Sequence, residues 1–127
     1  MSQLTRIYYN KLVRDHTKEK IEKKGHKCDI RPISDIQEFQ QELFKKIREE
    51  ATSLSMTRTK EDFLEEYCDM MEVLDAILEQ LEIDEATVQA ARDANHHDKG
   101  GYKHRHFLHW SDDVQYKSEE TPQGIPL

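Results

Sequence analysis

Apolar positions in this chain recur with a helical period instead of alternating. At about 100° per residue, Ile36, Phe39, Leu43, Ile47 and Leu54 fall on one stripe. They predict a long helix, N-capped by Ser34 or Asp35 and running to about Leu54. Ser55 to Thr59 is a polar break. Phe63, Tyr67, Met70, Leu74, Ile77 and Leu81 form a second stripe, on a helix from about Lys60 to Leu81. Thr59 followed by Asp62 resembles a capping box with a shortened acid. Asp84 caps a third helix that reaches about Asp98 and stops at Gly100-Gly101. Ahead of these, Asp15 to Lys24 reads as a short helix, ended by Gly25 where a left-handed residue is common. Arg6 to Val13 is extended or leads into that helix, and Lys27 to Ile33 and Tyr102 to Trp110 are candidate extended pieces. Ser111 to Leu127 is polar, holds two prolines and lacks periodicity. The expectation is an all-α helical bundle over 1–110, with short extended segments, and a tail or arm over 111–127.

Composition sharpens this picture. A chain of 127 residues suits one core. Only 35% of it is apolar, where roughly 45–50%, glycine included, is usual. Part of that apolar surface is therefore expected to be buried against a second subunit, giving a homodimer or homotetramer. No apolar run reaches the roughly 18 residues of a membrane span, and no hydrophobic leader opens the chain, so a cytoplasmic protein without a membrane partner is expected. Cys28 and Cys68 have neither metal nor redox spacing, which excludes a disulfide framework and a zinc ribbon.

The charge is unevenly laid out. Residues 1–31 hold nine Lys/Arg and four Asp/Glu, whereas residues 32–99 hold seven against 18. A duplex-binding protein needs a coherent basic face, so a nucleic-acid partner is not expected. An acidic middle that gathers cations fits better, and ordinary solvated helix surface is the bland alternative.

Three acids stand out from that surface. Glu50 occupies a place in the first stripe where the pattern asks for an apolar side chain. A buried, unpaired carboxylate costs several kcal/mol, so it should be paired, protonated or metal-bound; a Glu at the stripe's margin with its head in water is the other reading. Glu66 and Asp69 border the second stripe and share their side with Val73 and Ala76, one turn apart. Carboxylates at i and i+3 on one helix, facing a third on another, are a bundle-core arrangement for hard divalent cations. No His stands three or four residues from them, which favours Mg²⁺, or Mn²⁺, over zinc or di-iron. His96-His97 and His104, His106 and His109 have no defined ligand spacing and read as surface or interface. Lys11 and Arg14 before the first helix, and Lys103 and Arg105 after the Gly100-Gly101 stop, supply charge suited to phosphate.

These residues resemble a family. Tyr9-Asn10-Lys11-Leu12-Val13-Arg14-Asp15 looks like the Y-N-K-L-V-R-D opening of small MazG-like, phosphoribosyl-ATP pyrophosphohydrolase-like proteins. Glu49-Glu50-Ala51-Thr52-Ser53-Leu54 is similar to the E-E-x-x-E motif of the all-α NTP pyrophosphatase superfamily, and Glu65-Glu66-Tyr67-Cys68-Asp69 to its E-x-x-D motif. Gly100-Gly101-Tyr102-Lys103-His104-Arg105 resembles the downstream G-G-F-x-K-R segment. The set covers most of residues 8–108 in family order.

The resemblance implies an enzyme that splits a nucleoside triphosphate into monophosphate and pyrophosphate with Mg²⁺. Glu50, Glu66 and Asp69 would be its metal ligands and catalytic residues. Asn10, Lys11, Arg14, Lys103 and Arg105 would bind the substrate. A dimer or larger assembly is also implied. One departure stands out: Ser53 replaces the last acid of the first motif and brings no charge. A non-catalytic nucleotide-binding or sensing relative is therefore the second reading, and a plain helical oligomerisation module the third.

Overall fold

The structure, a computed structural model, describes residues 5–115. Four helices form: α1 (Thr17–Lys23), α2 (Ile36–Ser55), α3 (Lys60–Gln80) and α4 (Glu85–Lys99). No strand forms among the described residues, so the fold is all-α. The candidate extended pieces at 6–13, 27–33 and 102–110 are irregular. After α4 the chain turns instead, with the Arg105 N–H donating to the Tyr102 carbonyl at 3.0 Å and Arg105 at φ 56°. Residues 116–127 of the expected tail lie outside the described residues. The chain divides into two compact units between Val88 and Gln89.

Local chemistry sets the helix ends. Asp35 caps α2 by accepting from the Gln37 N–H at 3.0 Å. At the other end of α2 the hydroxyls of Ser55 and Thr57 donate to the carbonyls of Thr52 (2.7 Å) and Leu54 (2.9 Å), satisfying groups that the helix leaves unpaired. Thr59 accepts from the Asp62 N–H at 3.1 Å, and Asp84 from the Thr87 N–H at 2.8 Å. Gly25, at φ 79°, closes α1. Its N–H reaches Glu22 and the His26 N–H reaches Ile21, the paired bonds of a Schellman ending. Before α2, Arg31 grips Glu38 with both guanidinium nitrogens, at 3.0 and 2.9 Å. That fork holds the Arg31 pKa above and the Glu38 pKa below their ordinary values.

α2 and α3 are the helices that pack on each other. A four-residue connection, 56–59, forces them into an antiparallel hairpin. Residues equally distant from Arg58 then face each other. Leu43 and Val73 are each fifteen positions from it and are the two buried apolar side chains among the described residues, 3% and 6% exposed.

The packed face of α3 differs from expectation. Phe63, Tyr67, Leu74 and Leu81 of the expected main stripe are 37–53% exposed, and Ile36 at the start of the α2 stripe is 65% exposed. The side turned to α2 carries Glu66, Asp69, Val73 and Ala76, together with Met70 and Ile77 of the expected stripe. The packed side is the expected stripe turned toward the acids, so that Met70 and Ile77 lie on it while Phe63, Tyr67, Leu74 and Leu81 stay outside.

If Leu43 anchors this hairpin, Leu43→Ala should cost about 2–5 kcal/mol and Leu43→Met below about 1.5 kcal/mol. Urea denaturation measures both, and equal costs would contradict the placement of Leu43 in a packed core.

Candidate functional site

The hairpin that makes the core also makes an acid cluster. Glu50 and Glu66 are each eight positions from Arg58, so they face each other two turns nearer the connection than Leu43 and Val73. Asp69 follows Glu66 by one turn of α3. One carboxylate oxygen from each of Glu50, Glu66 and Asp69 lies within 4.8 Å of the others. All three residues are half-buried, and the Glu50 side chain is 13% exposed. Of the two readings of Glu50, the structure shows the paired one rather than a head in open water.

Three cations surround these acids. Lys46, one turn before Glu50 on α2 and 13% exposed, places its ammonium 2.8 Å from Glu49 and 3.5 Å from Glu50. Lys11 reaches the other oxygen of Glu49 at 2.6 Å. The two lysines hold the Glu49 carboxyl below the usual carboxylate range, the Lys11 hydrogen bond being the largest single cause. Arg14 donates to Asp69 at 3.2 Å, and its second nitrogen stands 3.9 Å from Glu72. The segment 11–14 thus spans α2 and α3 beside the cluster, with Leu12 and Val13 half-buried between its two cations.

Glu66 has no basic partner among the described residues. Its carboxyl is pushed up, first by loss of hydration and then by the charges of Asp69, Glu50, Glu65 and Asp62. Repulsion of this kind is what a divalent cation relieves. The donor set fits one: three carboxylate oxygens on rigid helices suit a hard ion. Ligands of Mg²⁺ stand about 3.0 Å apart when adjacent and about 4.2 Å when opposite, so oxygens within 4.8 Å of one another would close on the ion by side-chain rotation.

The remaining expected site residues are dispersed. Asn10, at φ 48°, immediately precedes Lys11 and is exposed. Lys103 and Arg105 are exposed in the turn after α4, within the second compact unit. Ser53 is half-buried one turn beyond Glu50. Lys46 was not among the expected residues. Its signal was present in the spacing, three before Glu49 and four before Glu50, which puts opposite charges on one helix face.

Comparison of the chain with protein-family models, curated proteins and solved structures gives no match. The chemistry of the cluster is therefore the basis for any functional reading.

The raised pKa of Glu66 has a definite linkage sign. The folded state holds this proton more tightly than the unfolded state, so stability is lost as pH rises from the ordinary carboxylate value through the raised one. In EDTA, Glu66→Gln should stabilise the protein at neutral pH, with the gain vanishing at acid pH; Mg²⁺ should reverse the ranking. Urea titrations across pH test this, and a gain that persists in acid would assign the effect to packing.

Proposed function

We propose that the chain is a Mg²⁺-dependent nucleoside triphosphate pyrophosphohydrolase of the MazG-like all-α type. It would be a cytoplasmic house-cleaning enzyme for non-canonical nucleotides. The observation that carries this reading is the convergence of Glu50, Glu66 and Asp69 from two helices, with Lys11 and Arg14 at its edge. In the reaction, water adds to the α-phosphorus and the bond to the bridging oxygen of the β-phosphate breaks. Nucleoside monophosphate, pyrophosphate and a proton result. A bound Mg²⁺, with Mn²⁺ as the alternative, offsets the negative charge that builds on the leaving group.

The protein's own residues do the rest. Glu50, Glu66 and Asp69 hold the cation, and the rigid hairpin fixes their spacing. Lys11 and Arg14 have flexible stems and exposed heads, so they can turn from carboxylates to phosphate oxygens. Asn10, Lys103 and Arg105 are assigned to substrate by the resemblance alone. Among the described residues no helix is long and apolar enough to cross a membrane.

One observation favours the second reading, a nucleotide-binding relative without turnover. Ser53 contributes no charge, and the cations Lys46 and Arg14 already neutralise part of the cluster. A panel of nucleoside triphosphates with Mg²⁺, scored for pyrophosphate release and for binding, separates the two. Under the enzymatic reading Glu50→Gln and Asp69→Asn each lower turnover by at least about 100-fold, since even indirect partners of a metal cost 10–100-fold. Ser53→Glu restores a charged group one turn from Glu50 and should lower the Mg²⁺ concentration at half-maximal rate. Rescue of hydrolysis from an inert parent would establish the binding-only reading instead.

The same reading includes a homodimer or homotetramer. Leu64, Tyr67, Met71, Leu74 and Leu81 recur along one side of α3 and are 36–60% exposed. An apolar strip of this kind is normally covered. Light scattering at tens of micromolar should give at least twice the 15.1 kDa chain mass; a monomer at that concentration counts against it.

A further inference from the structure

We infer that Arg14 is a displaceable counter-ion of the acid cluster, seated on Asp69 in the free protein and released toward Glu72 or a substrate phosphate when a divalent cation takes Asp69. This rests on the metal-dependent reading above and adds a mobile element to it.

The two cations that touch the cluster differ in how firmly they are held. Lys46 belongs to α2, is 13% exposed and is bonded to Glu49 at 2.8 Å besides lying 3.5 Å from Glu50. Moving it would strip Glu49 of a partner in a half-buried place. Arg14 belongs to an irregular segment, and its side chain is 59% exposed. Its one hydrogen bond to the cluster is 3.2 Å long. Exposed pairs of that kind are weak.

Arg14 also has a second seat within reach. Its other nitrogen is 3.9 Å from Glu72, one turn further along α3 from Asp69 and 59% exposed. A shift along α3 exchanges one carboxylate for the next without freeing the segment, since Lys11 stays on Glu49 at 2.6 Å and Leu12 and Val13 stay half-buried. The cation gains Asp69 without leaving the guanidinium unpaired. A substrate phosphate beside the loaded site then offers Arg14 a stronger bidentate partner.

The test uses the full chain and Mn²⁺ as the probe, with free ion counted by electron paramagnetic resonance and no nucleotide present. Removing a competitor should tighten binding, so Arg14→Gln should lower the Mn²⁺ dissociation constant about two- to fivefold, the range set by an exposed ion pair. Arg48→Gln removes a positive charge from the exposed side of α2 and should leave the constant unchanged. In an Asp69→Asn background the Arg14 effect should disappear. As a second readout, Mg²⁺ should shift the NMR signal of the Arg14 guanidinium in the wild type and not in Asp69→Asn.

Mn²⁺ binding that Arg14→Gln leaves unchanged or weakens overturns this inference and leaves the metal reading intact. An equal gain in Arg48→Gln also overturns it, by showing a general charge effect. A wild type that binds no Mn²⁺ at millimolar ion, while Arg14→Gln also binds none, overturns the metal reading and the inference together.

Discussion

Everything at the candidate site depends on three like charges being held on the faces of two helices that must pack. The antiparallel α2–α3 hairpin gives each position on one helix a fixed opposite number on the other. Leu43 and Val73 use that pairing to exclude water, and two turns away Glu50 and Glu66 use the same pairing to face each other. Such an arrangement opposes packing, because partial dehydration and mutual repulsion both act on the charged forms. The protein offsets it with cations. Lys46 on α2 and Arg14 from the N-terminal segment each reach a member of the cluster, while Glu66 keeps its proton more tightly than an ordinary carboxyl.

That compensation explains the layout of the first unit. The segment before α1 is irregular, and it lies against the hairpin with Leu12 and Val13 half-buried and Lys11 and Arg14 pairing with one helix each. A basic N-terminus and an acidic middle, separate features of the sequence, are two halves of one electrostatic arrangement. Charge needed for the folded state therefore sits where charge for a phosphate ligand would sit. The same side chains serve both only if the pairs are weak enough to exchange, which their exposure ensures.

Much of this was legible in the sequence. Caps at Asp35, Thr59 and Asp84 and the glycine stop at Gly25 follow from side-chain chemistry that acts within four residues, so the helix bounds came out within about two positions. Glu50 was visible because it interrupts an apolar stripe. The packed face of α3 was only partly legible by apolar count: Met70 and Ile77 of the stripe turn inward with Val73 and Ala76, while Phe63, Tyr67, Leu74 and Leu81 stay outside. Periodicity reports that a face is apolar but not which neighbour it meets. Lys46 was missed for a related reason, since a lysine within a charged helix has no distinguishing mark until its ammonium is found almost enclosed beside Glu49.

The two apolar faces of α3 then acquire different meanings. One is short, interrupted by Glu66 and Asp69, and buried within the chain; the other runs unbroken from Leu64 to Leu81 and is exposed. Two of the eight acids of α3, Glu66 and Asp69, lie on its packed side, and the other six share the exposed surface with an apolar strip. Burying the longer side alone would have satisfied the hydrophobic effect within a single chain and left the acids in water, uncoupled. The observed packing instead sets Glu50, Glu66 and Asp69 against one another at fixed spacing and leaves the apolar strip of α3 exposed on this chain.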